Sequence, residues 1–274
     1  MTTPTFRIVQ ISDTHLSRSK PWCVSNFAAL ERVVAARKPD LVVNTGDITF
    51  DGADEEDDLA FAQASHAALG VPVRAIPGNH DIGDNPWTKA IRQTVTAERL
   101  ARYRRFFGPD FWQADAGAWV MIGLNAQLMG SGLADEAAQW SFLAGAVAMA
   151  GRRPIALFIH KPLFNEHVAE KEVVGRYVPP EQRRRLDDVL RGANVKLVAS
   201  GHVHQHRHRN VAGVDYCWAP STAFVLPDRL QPCIGTKRVG YVAYTFAEDE
   251  VAIEIVEAPE LTNHDLDDFP EVFG

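Results

Sequence analysis

Cysteine is scarce in this sequence, and long apolar runs and an excess of basic residues are absent. Its 274 residues include three cysteines, which are widely spaced and never arranged as CxxC. This odd, scattered set argues against a disulfide framework or a zinc finger, and it favours free thiols in a reducing cytoplasm. The longest apolar stretches, such as residues 154–159, are far too short to span a bilayer, so no membrane partner is expected.

The balance of charge argues against a further class of partner. The formal net charge is −7 at pH 7, and no repeated pattern of basic and aromatic residues forms a nucleic-acid platform. We therefore expect no nucleic acid polymer as a partner. Residues 1–12 lack a basic segment followed by an apolar one, so no signal peptide is expected and the protein is predicted to be cytoplasmic.

Apolar strand-like segments alternate with amphipathic segments through the first two-thirds of the chain. Strands are predicted at residues 6–12, 41–45, 71–76, 119–125, 153–159 and 195–199. Helices are predicted at residues 25–38 (with Ser25 as N-cap), 54–70, 96–107, 135–151 and 179–192. The βαβαβ opening predicts a parallel sheet covered by helices. Further strands are predicted at 214–219, 239–246 and 251–258. No linker or repeat divides the chain, so we expect one domain over residues 1–274, with residues 259–274 as an acidic surface tail.

Polar residues follow five of the predicted strands directly. These residues are Asp13-Thr14-His15, Gly46-Asp47, Gly78-Asn79-His80-Asp81, His160 and Gly201-His202-Val203-His204. Asp and Asn are common in turns, and a lone histidine is usually a packed one, so each block alone has an ordinary explanation. In an open α/β sheet, however, ligands bind beyond the carboxyl ends of the strands. The five blocks together therefore favour a single polar site.

The side chains in these blocks are of the types that bind metal ions. They offer imidazoles, carboxylates and one amide oxygen, but no thiolate. This donor set favours manganese, iron, zinc or cobalt over copper(I) or an oxygen-only calcium site. The seven candidate ligands are too many for one tetrahedral ion, and they suit two divalent metal ions about 3.5–4 Å apart that share a carboxylate.

Histidines occupy every second position from His202 to His208, and in a strand such residues would share one face. A solvated face is the alternative, because Arg207 and Arg209 lie between them. At about 3.4 Å per residue, His206 lies about 7 Å and His208 about 14 Å beyond the metal-site histidines. We expect both to be exposed or rim residues rather than ligands.

In their order along residues 13–204, the five blocks resemble those of the calcineurin-like metallophosphoesterases. The resemblance implies a four-layer α/β/β/α sandwich with two central mixed β-sheets. It also implies the metal ligands: Asp13, His15, Asp47 and His204 for one ion, and Asp47, Asn79, His160 and His202 for the other, with Asp47 bridging. His80 is implied to contact the phosphate and assist the leaving group, and Asp81 is expected to orient His80.

This resemblance implies that the protein hydrolyses a small-molecule phosphoester with a metal-activated water. The segments ISDTHL and IPGNHD resemble bacterial cyclic-nucleotide and glycerophosphodiester phosphodiesterases. Residues 102–108, 160–164 and 179–190 resemble a branch that includes phosphomonoesterases. We therefore expect a phosphodiester substrate, with a phosphomonoester as the alternative. A non-catalytic metal-binding scaffold is disfavoured because all seven ligands and His80 are present.

The rim of the site is predicted from residues 82–95, 127–134 and 163–178. Trp87, Phe164 and Tyr177 are candidates for stacking on a base, or they simply pack the loops. Lys161 stands where the family usually has a second histidine. It is either a rim cation that favours a dianionic monoester or a solvated lysine beside a turn.

Overall fold

A computed structural model describes residues 5–87 and 93–269 of the chain. Its strands are β1 (Phe6–Ile11), β2 (Leu41–Asn44), β3 (Val73–Ala75), β4 (Trp112–Ala116), β5 (Trp119–Leu124), β6 (Ile155–Ile159), β7 (Val195–Ser200), β8 (Arg207–Val211), β9 (Val214–Trp218), β10 (Phe224–Val225), β11 (Gly240–Ala247), β12 (Glu250–Glu257) and β13 (His264–Asp265). Its α-helices are α1 (Pro21–Arg37), α2 (Glu56–Ala67), α3 (Asn79–Ile82), α4 (Ala97–Phe107), α5 (Ala134–Ala150) and α6 (Pro180–Val189). Within these ranges, no helix is both long enough and apolar enough to cross a bilayer.

The first large sheet has the strand order β12-β11-β1-β2-β3. Strands β1, β2 and β3 are parallel, whereas β11 pairs antiparallel with both β1 and β12. In β1, Ile8 packs towards the second sheet, whereas Val9 and Ile11 pack towards the helices, because alternate residues point to opposite faces. The parallel sheet predicted from the opening of the sequence is therefore confirmed.

The second large sheet has the order β4-β5-β6-β7-β9-β8, with a parallel centre and an antiparallel strand at each edge. Its inner face packs against the first sheet, as Phe158 of β6 does against Tyr244 of β11. Helices α1, α2 and α4 cover the outside of the first sheet, and α5 and α6 cover the second. The fold is thus the α/β/β/α sandwich with two mixed sheets that the resemblance implied.

A buried glutamine joins the two sheets near their shared edge. The Gln10 side chain is 0% exposed and lies between the layers. Its amide nitrogen donates to Thr45 Oγ1 at 2.9 Å and to the Ser200 carbonyl oxygen at 3.3 Å, and its Oε1 accepts from the Tyr244 hydroxyl at 2.7 Å. Full pairing compensates the cost of burying an amide, and it links the ends of β1, β2 and β7.

Several local predictions were wrong. Helix α1 begins at Pro21 rather than after Ser25, because proline fits the first turn, where no backbone N–H is needed. The Ser25 hydroxyl instead donates to the Trp22 carbonyl within the helix. Strands β4 and β8, the edges of the second sheet, were not predicted.

Part of the predicted acidic surface tail has contacts with the rest of the protein. Strand β13 pairs with β10, and Leu266 is buried. The Trp22 ring stacks on Phe269 with their centroids 4.1 Å apart. Leu266 and Phe269 therefore anchor this segment to the body of the protein, although Glu260, Asp267 and Asp268 are exposed, and residues 270–274 lie outside the described residues.

Candidate metal centre

The loops that follow β1 and β2 run side by side and deliver the first three predicted ligands. The Asp13 amide donates to the Gly46 carbonyl at 2.9 Å, and the His15 amide donates to the Asp47 carbonyl at 3.0 Å. The third loop also approaches closely, since a Cβ on Gly78 would lie 2.1 Å from Asp47 Oδ1. Only glycine fits there, so the backbone at the start of α3 can reach the carboxylate.

Two groups of potential ligand atoms form at this edge, each with all its atoms within 4.8 Å of one another. One contains Asp13, His15, Asp47 and His204, and the other contains Asp47, His160 and His202. Asp47 belongs to both groups, as the bridging role requires. The structure therefore brings together six predicted ligands that are up to 191 residues apart in sequence, from the ends of strands in both sheets.

Two pairs of histidine nitrogens face each other across the site, and this arrangement fits a bound cation. His15 Nε2 lies 3.1 Å from His204 Nε2, and His202 Nδ1 lies 3.1 Å from His160 Nε2. The outer nitrogens of two rings are fixed by carbonyls: His204 Nδ1 by Phe224 O and His160 Nδ1 by Thr45 O, both at 2.8 Å. This pairing holds the inner nitrogens towards the centre, as in known metal sites.

Asn79, the seventh predicted ligand, offers a further sign of fit. Its Oδ1 is buried and has no hydrogen-bond partner within the described part of the chain. An unpaired buried acceptor costs about 1–3 kcal/mol unless something binds it. Together with the paired imidazoles and carboxylates, this oxygen makes a donor set that fits two divalent cations.

The histidines of the centre divide into two electrostatic groups. Burial and the neighbouring charge of His80 lower the pKa of His15 well below its usual value, and burial and His160 do the same to the pKa of His202. Burial also opposes protonation of His160, but Asp47 outweighs it and raises the His160 pKa to about 9. Burial raises the pKa of Asp47, yet His160 and His80 outweigh it and hold this pKa well below its usual value. The neutral rings of His15 and His202 and the charged carboxylate of Asp47 are already in the forms that bind a metal, whereas His160 would have to give up a proton when a metal binds.

His80 lies beside the two ligand groups, with its ring centroid 4.7 Å from that of His15. Its amide donates to Asp47 Oδ1 at 2.9 Å, and its Nδ1 lies 2.7 Å from the Phe50 carbonyl oxygen. The carbonyl accepts from the ring N–H, so the ring has a fixed orientation and its Nε2 faces away from this contact. The sequence had not indicated the part played by Phe50.

The His80 ring contacts the carbonyl of Phe50 and not, as had been predicted, the carboxylate of Asp81. The carboxylate of Asp81 instead accepts from the amides of Ile48, Thr49 and Gly78 at 2.8–3.2 Å and from the Thr49 hydroxyl at 2.6 Å. Burial and the charge of Asp47 raise the pKa of Asp81 to about 6. Asp81 therefore fixes the loop that carries Asp47 rather than the imidazole of His80.

Both interpretations of Lys161 were wrong, because its side chain is completely buried. Its Nζ donates to Asp84 Oδ1 at 2.5 Å and to Asn85 Oδ1 at 2.9 Å. The Asn85 amide in turn donates to the carbonyls of Ala126, Gln127 and Met129. The adjacent Asp-Asn pair was visible in the sequence, but nothing indicated that both residues are buried.

The outer histidines and two of the rim aromatics have structural partners. His206 Nε2 lies 3.2 Å from Glu257 Oε1, and His208 Nε2 lies 2.9 Å from Asp215 Oδ1. Residues 202–205 form a bend before β8 rather than a strand, so the spacing of the histidines did not reflect strand alternation. Of the aromatics, Phe164 and Tyr177 are buried.

Comparison with known proteins supports the assignment made from this geometry. Two buried Asp/His groups that share a carboxylate are typical of binuclear metallohydrolases. Residues 6–206 match the family described as calcineurin-like phosphoesterase. The chain therefore belongs to the calcineurin-like phosphoesterases, a family of hydrolases that act on phosphoester bonds and use a dimetal centre.

Three similar proteins cover most of the chain. One from Arcobacter nitrofigilis, named a probable glycerophosphodiester phosphodiesterase, is 29% identical over 72% of this chain and 71% of its own. A 3′,5′-cyclic-nucleotide phosphodiesterase of Nostoc sp. is 25% identical over 79% of this chain and 78% of its own. The crystal structure of a dimetal phosphatase from Danio rerio shares the fold with a TM-score of 0.62 and 14% identity, covering 91% of this chain and 95% of that one.

Proposed function

We propose that the protein is a binuclear-metal-dependent phosphodiesterase. The observation that carries this proposal is the sharing of Asp47 between two groups whose histidine nitrogens oppose each other at 3.1 Å. The proposed ligands of one ion are Asp13, His15, Asp47 and His204, and those of the other are Asp47, Asn79, His160 and His202. When bound, the two cations would lower the pKa of a water to about 7 and neutralise the phosphate oxygens.

In this proposal, His80 assists departure of the leaving group. Its Nδ1–H is engaged by the Phe50 carbonyl, so a second proton on the ring would reside on Nε2. From that atom the ring would donate to the leaving oxygen, which is a general-acid role worth about 10²–10⁴-fold in rate. The amide of His80 bonds to Asp47, and this contact keeps the imidazole beside the metal ligands.

A diester is favoured over a monoester as the substrate. The two relatives named phosphodiesterases each align with more than two-thirds of this chain. The positive charge of Lys161, which would have favoured a dianionic monoester, is buried and balanced by Asp84. Cyclic nucleotides and glycerophosphodiesters are the proposed substrates. Monoester hydrolysis remains the second candidate, because residues 102–108 and 179–190 resemble phosphomonoesterases.

The test combines metal analysis with chromogenic substrates. We expect Asp47→Ala to lose metal and all turnover of bis-p-nitrophenyl phosphate, whereas His80→Ala retains the metal and loses about 10²–10⁴-fold in kcat. His208→Ala is the matched control, since His208 pairs with Asp215 on the surface and should leave both properties unchanged. Faster turnover of p-nitrophenyl phosphate would favour the monoesterase. A metal-loaded protein that cleaves neither substrate would be a scaffold.

We also propose that the chain works as a single domain in the cytoplasm on small substrates. The cysteines support this location, since Cys23, Cys217 and Cys233 are all free thiols. Continuity of the core supports the single domain, because the strands of both sheets contribute to one shared apolar layer. Limited proteolysis that released a stable fragment would contradict the single domain, and cell fractionation tests the location.

A further inference from the structure

Residues 221–224 pack against the first ligand group, and we call them the support loop. The first ligand group consists of Asp13, His15, Asp47 and His204. Phe224 of the support loop is buried, and its carbonyl oxygen lies 2.8 Å from His204 Nδ1. The centroid of its ring lies 4.8 Å from that of His15 and 4.6 Å from that of His204. The support loop therefore contacts both histidines of the first group.

The orientation of the His15 ring depends on this packing. Its Nδ1 is buried and has no hydrogen-bond partner within the residues that the structure describes. In contrast, Nδ1 of His204 and Nδ1 of His160 each lie 2.8 Å from a carbonyl oxygen. The rings of Phe224 and His80 lie against His15 with their centroids 4.8 and 4.7 Å away. Phe224 therefore helps to keep His15 Nε2 facing His204.

Ser221 connects the support loop to Asp13. Its side chain is completely buried, and its hydroxyl donates to the Asp13 carbonyl oxygen at 2.9 Å. Its Oγ also accepts from the amides of Ala223 and Phe224, at 3.1 and 3.2 Å. Asp13 has a φ of 51°, a left-handed conformation that persists only where its surroundings impose it. The Ser221 hydroxyl therefore fixes Asp13 and Phe224 relative to each other.

The support loop is itself anchored from outside the centre. Asn26 of α1 is buried, and its amide nitrogen donates to the carbonyls of Thr222 and Ala223 at 3.1 and 3.0 Å. Its Oδ1 accepts from the Thr262 amide at 2.8 Å. In addition, β10, which contains Phe224, pairs with β13. These contacts hold the support loop in place without any metal.

The second ligand group is held by other parts of the chain. His160 Nδ1 lies 2.8 Å from the Thr45 carbonyl oxygen, and Asp47 Oδ1 accepts from the His80 amide at 2.9 Å. Residues that hold the ligands of a metal matter for its affinity, and their loss typically costs about 10–100-fold in metal binding. A change in the support loop should therefore act mainly on one of the two metal sites.

We propose that Ser221 and Phe224 are positioning residues, which set the affinity of the first metal site through the ligands that they contact. The affinity of the second site should not depend on them. This role rests on the proposed function, because the ligands of each ion are those assigned there. Both residues lie beyond residue 206, where the family match ends, so the last third of the chain contributes to the centre without supplying a ligand.

The experiment measures Mn²⁺ binding by titration calorimetry in variants that keep one site each. His202→Ala removes a ligand of the second ion, so the remaining ion reports on the first site, and His15→Ala does the reverse. In the His202→Ala background, Ser221→Ala and Phe224→Leu should each weaken Mn²⁺ binding by about tenfold or more. In the His15→Ala background, both should change the Kd by less than about twofold.

Phe246→Leu is the matched control for Phe224→Leu, because Phe246 is a buried phenylalanine that packs against Trp119. Ser65→Ala is the control for Ser221→Ala, because it removes a bond from a hydroxyl to a main-chain carbonyl in α2. Neither control should change the Kd for Mn²⁺ in either background. Urea unfolding without metal shows which variants are folded, and Phe224→Leu decides the question if Ser221→Ala is not.

Equal weakening of Mn²⁺ binding in the two backgrounds, or no weakening at the first site, overturns the proposal. Equal weakening by Phe246→Leu would also overturn it, because the effect would then come from a general loss of stability. A wild-type protein that binds two Mn²⁺ ions but cleaves neither chromogenic substrate would refute the proposed function. The same titrations would still decide the role of the support loop.

Discussion

Five of the seven predicted metal ligands have a left-handed backbone, which residues with side chains rarely adopt. These residues are Asp13, His15, Asp47, His202 and His204, with φ between 44° and 70°. Asp and His tolerate this region better than most residues, but each instance still costs of order 1–3 kcal/mol. The surrounding hydrogen bonds impose this conformation, so the site geometry is set before any cation binds.

The metal ligands could be predicted from their positions in the sequence, whereas the hydrogen bonds that hold the ligand loops in place could not. Asp13, Asp47 and His160 come after apolar strands, and this position can be recognised in the sequence. The role of His66 could not be recognised in this way. This residue lies on α2, and its Nε2 is 2.9 Å from Asn44 Nδ2, while Asn44 Oδ1 accepts from the Gly46 amide. A lone histidine in a helix shows no such connection to the loop of Asp47.

His66 gives a prediction for the pH dependence of stability. Burial lowers its pKa to about 4, so the folded protein favours the neutral ring. In the unfolded chain the pKa is about 6.5, so the stabilisation is present above that pH and is lost as the pH falls towards about 4. Between about pH 7 and about pH 4.5, the free energy of unfolding of the wild-type protein should fall by roughly 2 kcal/mol because of His66. We expect His66→Gln, which keeps an acceptor for Asn44, to remove this part of the pH dependence.

Urea unfolding of wild-type protein and of this variant, in identical buffers at both pH values, provides the measurement. The other histidines titrate in both proteins, so the difference between the two pH dependences isolates His66. If the free energy of unfolding fell by the same amount with pH in both proteins, His66 would not be buried as a neutral ring.

At the scale of elements, helices were easier to predict than edge strands. The helix at residues 96–107 was predicted from its periodicity and is observed as Ala97–Phe107, with Thr96 as its N-cap. Strands β4 and β8 have the sequences WQADA and RHRNV, which show little apolar alternation. Both are sheet edges with a neighbour on one side, so their pairing depends on β5 and β9 rather than on their own propensity.

The ion pair of Lys161 and Asp84 joins the segments that follow β6 and α3, and it gives a prediction at this scale. Lys161→Met would leave the carboxylate of Asp84 buried without its partner, which typically costs about 3–5 kcal/mol. The double variant Lys161→Met/Asp84→Asn should recover much of this loss, because no net charge is then left in the cluster.

Denaturant unfolding of both variants measures the effect. The exposed pair Arg191–Asp188 supplies a control, since Arg191→Met should cost less than about 1 kcal/mol. If Lys161→Met and Arg191→Met lowered the free energy of unfolding equally, Lys161 would not be buried in an ion pair. A double variant less stable than Lys161→Met would argue that the hydrogen bonds of Asp84 matter more than its charge.

At the scale of the molecule, most of the order of helices and strands and the parallel part of the first sheet could be predicted from hydrophobic periodicity. The stacking of two sheets could not, because an apolar strand buried on both faces looks the same whichever layer covers it. Phe158 and Tyr244, for example, meet across the layers although 86 residues separate them. That part of the architecture came from the resemblance.

The candidate metal centre draws its ligands from both sheets, so metal binding should stabilise the whole fold. We expect Mn²⁺ or Zn²⁺ at about one hundred times its Kd to raise the free energy of unfolding by about 2.7 kcal/mol. Asp47→Ala should show no such increase, because it removes a ligand from both groups. Thermal melts with and without metal test this, and equal stabilisation of Asp47→Ala would place the binding elsewhere.

Two of the strands that lead into this centre are each paired by a strand from the last third of the chain. Strand β1 pairs with β11, and β7 pairs with β9, so both partners lie beyond residue 206 where the family match ends. A nascent polypeptide that has just emerged as far as His204 carries every proposed ligand, but the edges of β1 and β7 that later pair with β11 and β9 are still open. Such edges can pair with other chains, so we expect the nascent chain to be most prone to aggregation until β11 has been synthesised and has paired.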